Sequence, residues 1–373
     1  MKNSCFGTLY LYEIKKILKN KVAMVTFLIM VIVAFIFAEG EITGNATAEK
    51  KEQYKQIEGR AIDDSLLEEM KENINEYGEW DTVDPTYENF VTWARSKGNI
   101  QNLTAEDLIK DRDYSIQEAK EMGRLSAGEY EYWEKNQDNT GYPGTWYDPL
   151  YIYGITMGLT DMKIIIFVLL IPLGLAAVFA AEYQNETESL IKSSKNGDRR
   201  TYYAKVLAGM TFAILGATMI IASFLGYFFV RWGTDYLDTP INYVYAYTSI
   251  SLTLKELLWM MAKLLLTGSV LIAAFILFLS QTLKNALAVM GVSLGVWFAN
   301  VILSSVVPLE MRAVSQFIQL LPHTLVDDRM VYEYRLVKLF GNYFTAWDFA
   351  PFMYILLAII FVAAGRLIYG KQK

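Results

Sequence analysis

Side chains that could catalyse a reaction are scarce in this sequence of 373 residues, which has one histidine, His323, and one cysteine, Cys5. A structural or catalytic zinc site needs three or four protein ligands, so a lone histidine does not make one. A lone cysteine cannot form an intrachain disulfide. Neither a Gly-x-x-x-x-Gly-Lys-Ser/Thr phosphate loop nor a His-Glu-x-x-His motif occurs. The sequence therefore predicts that this chain is not an enzyme and holds no metal or nucleotide of its own.

One charged side chain, Lys263, lies within a long apolar run. A charge inside a membrane-spanning segment is costly and often functional. Lys263 is about one turn past the start of the run, so its long side chain could extend outward to water. It could also pair with Glu256, two turns earlier on the same helix face, or line a polar translocation path. These alternatives remain open from the sequence.

The elements that position these residues are apolar runs that contain much of the 53% hydrophobic content. Runs of about 18 or more apolar residues are typical of transmembrane helices. Six are present, numbered span 1 to span 6: Val22–Ala38, Ile164–Ala181, Val206–Val230, Leu257–Ser280, Ala286–Val307 and Pro351–Tyr369. The sequence therefore predicts an all-α membrane protein with six transmembrane helices.

Residues 1–21 predict an amphipathic helix that lies on the membrane surface before span 1 (22–38). Its mostly apolar face carries Phe6, Leu9, Tyr10, Glu13, Ile14, Ile17 and Leu18. Lysines on the opposite side suit a surface of anionic lipid. Membrane lipid is therefore an expected partner.

Residues 39–160, between spans 1 and 2, predict a helical domain outside the membrane. They contain 12 basic and 26 acidic residues, a net charge of −14. Helix starts are predicted at Thr104 and Ser115, each followed by a carboxylate three residues later, and a modest core is expected around Trp80, Trp93 and Trp133. The negative charge argues against a nucleic-acid partner.

Lysine and arginine near the span ends predict the orientation. The basic residues that fall on one side of a six-span layout are Lys15, Lys16, Lys19, Lys21, Lys192, Lys195, Arg199, Arg200, Lys205, Lys284, Arg366, Lys371 and Lys373. That side is predicted to be cytoplasmic, with both termini inside and the 39–160 domain outside. We expect a multi-pass protein of the plasma membrane, with 161–373 forming spans 2 to 6.

Irregular features are predicted in three places. Pro172 and Gly174 should kink or thin span 2. Gly291 and Gly295 form a small-xxx-small pattern that allows close helix approach in span 5. Within 308–350, a short helix ending before Pro322 is predicted to dip into the membrane or lie on it.

The most informative stretch is the charged segment 182–205, which follows span 2 and returns the chain to the membrane. The residues that carry its pattern are Phe179, Glu182, Thr187, Leu190, Ile191, Arg199 or Arg200, and Lys205. This pattern resembles the cytosolic coupling segment of type-2 ATP-binding-cassette (ABC) permeases. In that family a glycine is usual where this chain has Glu186, and an apolar residue where it has Glu188.

The resemblance implies the membrane subunit of an ABC exporter, with two six-span halves and one separate ATPase docked beneath each half. The second half would be an identical or homologous permease. ATP and Mg²⁺ would be bound by the two ATPase subunits, with no cofactor in this chain. The ATPase-coupling residues would be Glu182, Glu186, Thr187, Glu188, Leu190, Lys192, Arg199 and Arg200. The pathway is expected near Pro172, Gly174, Gly291, Gly295, Trp297 and Asn300, and its apolar walls favour an amphipathic, peptide-like or lipid-like cargo.

Another class of protein also fits the sequence. A membrane receptor could use the 39–160 domain to sense a ligand without transport, and it would not need the coupling segment 182–205. An intramembrane enzyme would need paired catalytic groups within the spans, which are nearly free of them.

Overall fold

The computed structural model describes residues 4–45, 55–72, 85–95, 98–105, 107, 111–136, 145–147, 149–193, 199–241, 244–245 and 252–371. This part of the chain is mostly helical, and six of its helices are long and apolar enough to cross a membrane. They are Lys21–Thr43, Leu150–Gln184, Arg199–Trp232, Leu254–Leu283, Ala286–Val306 and Ala346–Gly370. They confirm the six predicted apolar helices and their order, and we keep the numbering span 1 to span 6.

The shorter elements lie between and before the spans. The helices are Ser4–Lys19, Asp64–Glu72, Glu88–Arg95, Asp111–Glu121, Ala127–Lys135, Glu188–Ser193, Arg312–Gln319 and Pro322–Leu325, with 3-10 turns at Pro85–Tyr87, Ile100–Asn102 and Asp328–Tyr332. An antiparallel hairpin pairs Val337–Leu339 with Asn342–Phe344. The fold therefore departs from the all-α prediction at this one described hairpin.

The spans alternate in direction, so the bundle has two ends. We call the end at which span 2 ends and span 3 begins the coupling end, and the end at which span 1 ends and span 2 begins the domain end. Spans 2 and 4 form the centre of the bundle, because 67% and 56% of the residues in their apolar stretches are buried. In span 5 the buried share is 11%. Gly174 and Gly209 allow close contact, because a Cβ there would collide with Phe212 and Leu277.

Span 2 is irregular around Pro172. Residues Ile164–Leu170 form a π-helix, and the N–H of Ile171 donates to the carbonyl of Ile166, five residues back. Proline has no N–H and clashes with the carbonyl four residues earlier, so a wider turn before it relieves both problems. The predicted disturbance at Pro172 is thus a change of helix type.

The N-terminal helix Ser4–Lys19 lies against span 3. Ile17 is buried, and the Tyr10 hydroxyl donates to Oγ1 of Thr211 at 3.0 Å. An almost wholly apolar groove of about 280 Å³ lies between this helix and spans 1 and 3, lined in part by Leu11 and Leu215. The amphipathic pattern is therefore used for packing on the bundle as well as for an exposed basic side.

One part of the polar domain between spans 1 and 2 has a core of its own, and another part packs on the core of the bundle. The separate core surrounds Trp146 and Phe90, whose rings meet edge to face at 4.9 Å. Trp93 joins this core, whereas Trp133 packs instead with the core of the bundle, where its Nε1 donates to the carbonyl of Tyr334 at 2.7 Å. The predicted core residue Trp80 lies outside the described residues.

Neither of the two predicted helix starts in this domain, Thr104 and Ser115, is the first residue of a described helix. Ser115 is not a cap, because the helix begins at Asp111. Thr104 exchanges hydrogen bonds with Asp107, as a capping box does. A full capping box that the sequence analysis overlooked joins Ser126 and Glu129.

The connection between spans 5 and 6 enters the bundle from the domain end. We call residues 312–332 the re-entrant segment. Its Leu320 carbonyl accepts from the Tyr354 hydroxyl of span 6 at 2.8 Å, and Pro322 lies beside Gly268 of span 4. Gly268 is 14 residues into its helix, roughly 20 Å from the domain end at about 1.5 Å per residue. The predicted dipping helix is therefore inserted between spans.

Candidate coupling site and the polar groups of the bundle

Four charged side chains meet at the coupling end of the bundle. Glu182 ends span 2, Lys205 lies near the start of span 3, and Glu13 and Lys16 come from the N-terminal helix. Glu182 accepts from Lys16 at 2.9 Å and forms a short ion pair with Lys205. Lys205 also lies 3.4 Å from Glu13. We call these four residues the charge cluster.

Three members of the charge cluster are buried, whereas the side chain of Lys16 is 41% exposed, and the formal charges of the four sum to zero. The side chain of Lys205 is 0% exposed, and those of Glu13 and Glu182 are each 7% exposed. Burial acts to lower the pKa of Lys16, but its hydrogen bond to Glu182 and the nearby carboxylates outweigh burial and raise it. Two carboxylates and two ammonium groups therefore compensate one another where any one alone would be costly.

The chain leaves span 2 through a tight turn after the cluster. Glu186 has a φ of 56°, in the left-handed region that favours glycine. The N–H of Thr187 donates to the carbonyl of Glu182 at 3.0 Å. This geometry gives a physical reason for the glycine expected at position 186 by resemblance.

The following helix, Glu188–Ser193, projects an apolar side chain. Leu190 is 74% exposed. Arg199 and Arg200 are also exposed, and within the described residues their side chains have no partner. Lys192 belongs to this helix, but its side chain and residues 194–198 lie outside the description. One leucine and two arginines are thus available to a partner at the coupling end.

Glu13 and Lys16 are site residues that the sequence analysis did not select. The available signal was Glu13 itself, a carboxylate within the apolar face of the N-terminal helix. Ser280 of span 4 was also missed. Its Oγ accepts from the N–H groups of Phe179 and Ala180 at 3.0 Å and donates to the carbonyl of Ala176 at 2.7 Å. Ser280 thereby fixes the last turns of span 2 to span 4.

The six residues expected along a pathway do not form one surface. Pro172 and Gly174 are buried within the bundle. Gly291 and Gly295 lie on the exposed side of span 5, where no atom of the described residues would contact an added Cβ. Asn300 is buried and accepts from Thr324 of the re-entrant segment at 3.0 Å.

Residues 291–295 also spell Gly-Val-Ser-Leu-Gly, the order of a serine-hydrolase motif. That motif requires a sharp turn between a strand and a helix. Here Ser293 lies in the middle of a span and donates to the carbonyl of Met290 at 2.8 Å. The match therefore carries no catalytic assignment.

Lys263 has a different partner from the one considered in the sequence. Its Nζ lies 3.5 Å from Asp348 at the start of span 6, and both side chains are partly exposed. Glu256 instead accepts from the N–H of Thr253 at 2.8 Å and caps span 4. The Lys263–Glu256 pair is therefore wrong, and Lys263 connects spans 4 and 6.

A second group of polar side chains lies where the re-entrant segment meets the spans. Lys163 of span 2 pairs with Asp327 at 3.0 Å. The Tyr245 hydroxyl bonds to Thr156 at 2.7 Å and donates to Asp328 at 3.2 Å. These contacts hold the segment in place through charges and hydroxyls within the bundle.

His323 belongs to the same region. The indole Nε1 of Trp297 lies 2.9 Å from its Nε2. Burial first, and then the charge of Lys163, lower the pKa of His323 to about 4. The imidazole is therefore neutral at pH 7 and packs edge to face against the indole of Trp297.

The chain matches no protein-family model, no curated protein and no solved structure. What the fold defines is a mostly helical protein with six helices that could cross a membrane, the arrangement of a multi-pass membrane protein.

Proposed function

We propose that this chain is the membrane subunit of an ABC transporter, driven by separate ATPase subunits that dock at 182–200. The observation that carries the proposal is the charge cluster. Through Glu182 and Lys205, the segment after span 2 is joined to span 3 and to the N-terminal helix. A force applied to the segment would therefore reach three elements together.

The exposed residues of the segment supply a docking surface for such a partner. Leu190 offers a buried contact to a partner groove, and Arg199 and Arg200 offer two charges. Apolar anchors surrounded by charged residues are typical of protein interfaces. In this proposal each of two ATPases binds ATP and Mg²⁺, and a second permease, identical or homologous, completes the path.

The same proposal places the protein in the plasma membrane with both termini and the coupling end in the cytoplasm. The 39–160 domain then lies outside the cell. The apolar walls of the spans favour an amphipathic cargo, of peptide or lipid type, and export as the direction.

Purification from native membranes in mild detergent tests the proposal. We expect a soluble ATPase to co-purify in stoichiometric amount and to be lost from the Arg199→Glu/Arg200→Glu variant. The matched control is Lys15→Glu/Lys19→Glu, which reverses two exposed, unpaired charges of the N-terminal helix and should retain the ATPase. Absence of an ATPase with the wild type would refute the proposal and favour the receptor, and equal recovery from all three proteins would refute docking at Arg199 and Arg200.

A further inference from the structure

A cavity of about 770 Å³ lies at the domain end, between residues 118–125 of the polar domain and residues 309–312 and 332–335. Its volume falls in the range of roughly 300–1,000 Å³ that is typical of ligand sites. Neither the coupling segment nor the charge cluster contributes to it. The cavity therefore offers a site separate from the proposed ATPase contact.

The walls of the cavity are held rigidly. Glu129 is fully buried and accepts from the guanidinium of Arg312 and, at 2.7 Å, from the N–H of Leu336. Arg335 is buried and forms an ion pair with Glu333 at 2.8 Å. Since these charges satisfy one another, the wall they form is preorganised and electrically balanced.

Three other charged side chains at the cavity are unpaired. Glu118, Arg124 and Glu310 line it, are exposed, and have no side-chain partner within the described residues. Two exposed apolar side chains, Met122 and Leu309, lie among them, 55% and 48% exposed. The free groups therefore comprise two carboxylates, one guanidinium and an apolar patch.

We propose that this cavity binds a short peptide segment that carries both basic and apolar side chains. Basic side chains would meet Glu118 and Glu310, and apolar side chains would cover Met122 and Leu309. Arg124 would bind a peptide carbonyl or carboxylate. A ligand with only negative charge would leave both glutamates unpaired, and a purely apolar one would leave all three charges unused.

The position of the cavity gives such binding a consequence. Tyr332 and Arg335 line it, and the 3-10 turn that ends at Tyr332 begins at Asp328, which accepts from Tyr245 within the bundle. A bound peptide would thus contact the end of the re-entrant segment. The site suits recognition of a cargo or of a regulatory peptide at the mouth of the bundle.

Fluorescence anisotropy with the purified full chain in nanodiscs tests this inference. The probe is a fluorescein-labelled Lys-Leu-Lys-Phe tetrapeptide, and its counterpart is Glu-Leu-Glu-Phe. We expect saturable binding of the basic peptide and about tenfold weaker binding to Glu118→Gln/Glu310→Gln, since each exposed charge pair contributes up to about 1 kcal/mol. Met122→Ser should also weaken binding.

The matched control is Glu72→Gln/Glu134→Gln, which removes two exposed carboxylates that do not line the cavity and should bind as the wild type does. An equal loss in this control would reveal general attraction to an acidic surface and overturn the site. Equal binding of the acidic peptide, or no binding to the wild type, would overturn the ligand class. None of these readouts depends on an ATPase, so the result is independent of the proposed function.

Discussion

Replacement of Lys205 by methionine tests whether the charge cluster holds the coupling end together. Methionine is unbranched and only one atom shorter than lysine, and it removes the charge. The side chain of Lys205 is fully buried, and its loss leaves Glu13 and Glu182 with Lys16 alone. Removing one partner from a buried ion pair costs about 3–5 kcal/mol, so we expect a loss of that size in the free energy of unfolding.

The expected loss comes from the unbalanced charge of the cluster, and a second variant isolates this effect. Glu13→Gln together with Lys205→Met leaves the Lys16–Glu182 pair, with atoms 2.9 Å apart and no net charge. The double variant should therefore be more stable than the sum of the two single losses predicts, by about 1–3 kcal/mol.

Equilibrium unfolding of the purified proteins in mixed micelles with increasing SDS measures these quantities. Lys255→Met is the control, since Lys255 pairs with Asp238 at an exposed site and the loss of an exposed pair should change the stability little. If the Glu13 and Lys205 effects add to within about 0.5 kcal/mol, or if Lys205→Met costs no more than the control, the four residues do not act as one cluster.

Three further predictions concern other sites. Glu186→Gly should raise the unfolding free energy by about 0.5–1 kcal/mol, because it relieves the left-handed backbone at φ 56°, whereas Glu186→Ala should give no gain in the same SDS titration. Burial acts to raise the pKa of Glu129, but hydrogen bonds from Ser126 and Leu336 and the charge of Arg312 outweigh burial and lower the pKa. Glu129→Gln should therefore lower the free energy of unfolding by about 1–3 kcal/mol and speed amide hydrogen exchange in residues 126–135. Unchanged exchange would contradict this prediction. The fold lowers the pKa of His323 from 6.5 to about 4, so the unfolded chain takes up a proton more readily than the folded one. The free energy of unfolding should therefore fall by about 1–2 kcal/mol between pH 7.5 and pH 5. This fall should disappear in His323→Gln, and an equal fall in that variant would assign it to other groups.

The six spans were predictable because the signal for each is local. A long apolar run needs no knowledge of its partners, and spans 4 and 5 begin within three residues of the predicted positions. Span 2 begins at Leu150, 14 residues before the predicted Ile164, because its first part carries Thr156, Asp161 and Lys163. Lys163 looks unsuited to a membrane until Asp327 of the re-entrant segment supplies its partner, and Thr156 until Tyr245 does.

The charge cluster and the cavity could not be predicted from the sequence, because both depend on contacts between residues far apart in the chain. Glu13 and Lys205 are 192 residues apart, and Glu129 and Leu336 are 207 apart. A single sequence does not show which residues so far apart along the chain lie close together in the fold. What it does offer is an anomaly, such as a carboxylate on an apolar helix face, and Glu13 shows that the anomaly indicates a buried partner.

Span 2 is the element through which the two ends of the bundle are connected. It carries Glu182 in the charge cluster and Lys163 in the pair with Asp327, so two points along it are held by ion pairs. Between them lie the π-helix Ile164–Leu170 and Pro172. Such π-helical turns are rare within α-helices and are frequent at functional sites. A displacement applied at Glu182 must therefore either move Lys163 and the re-entrant segment or be absorbed between them, so the stiffness of 164–172 decides how much of it crosses the bundle.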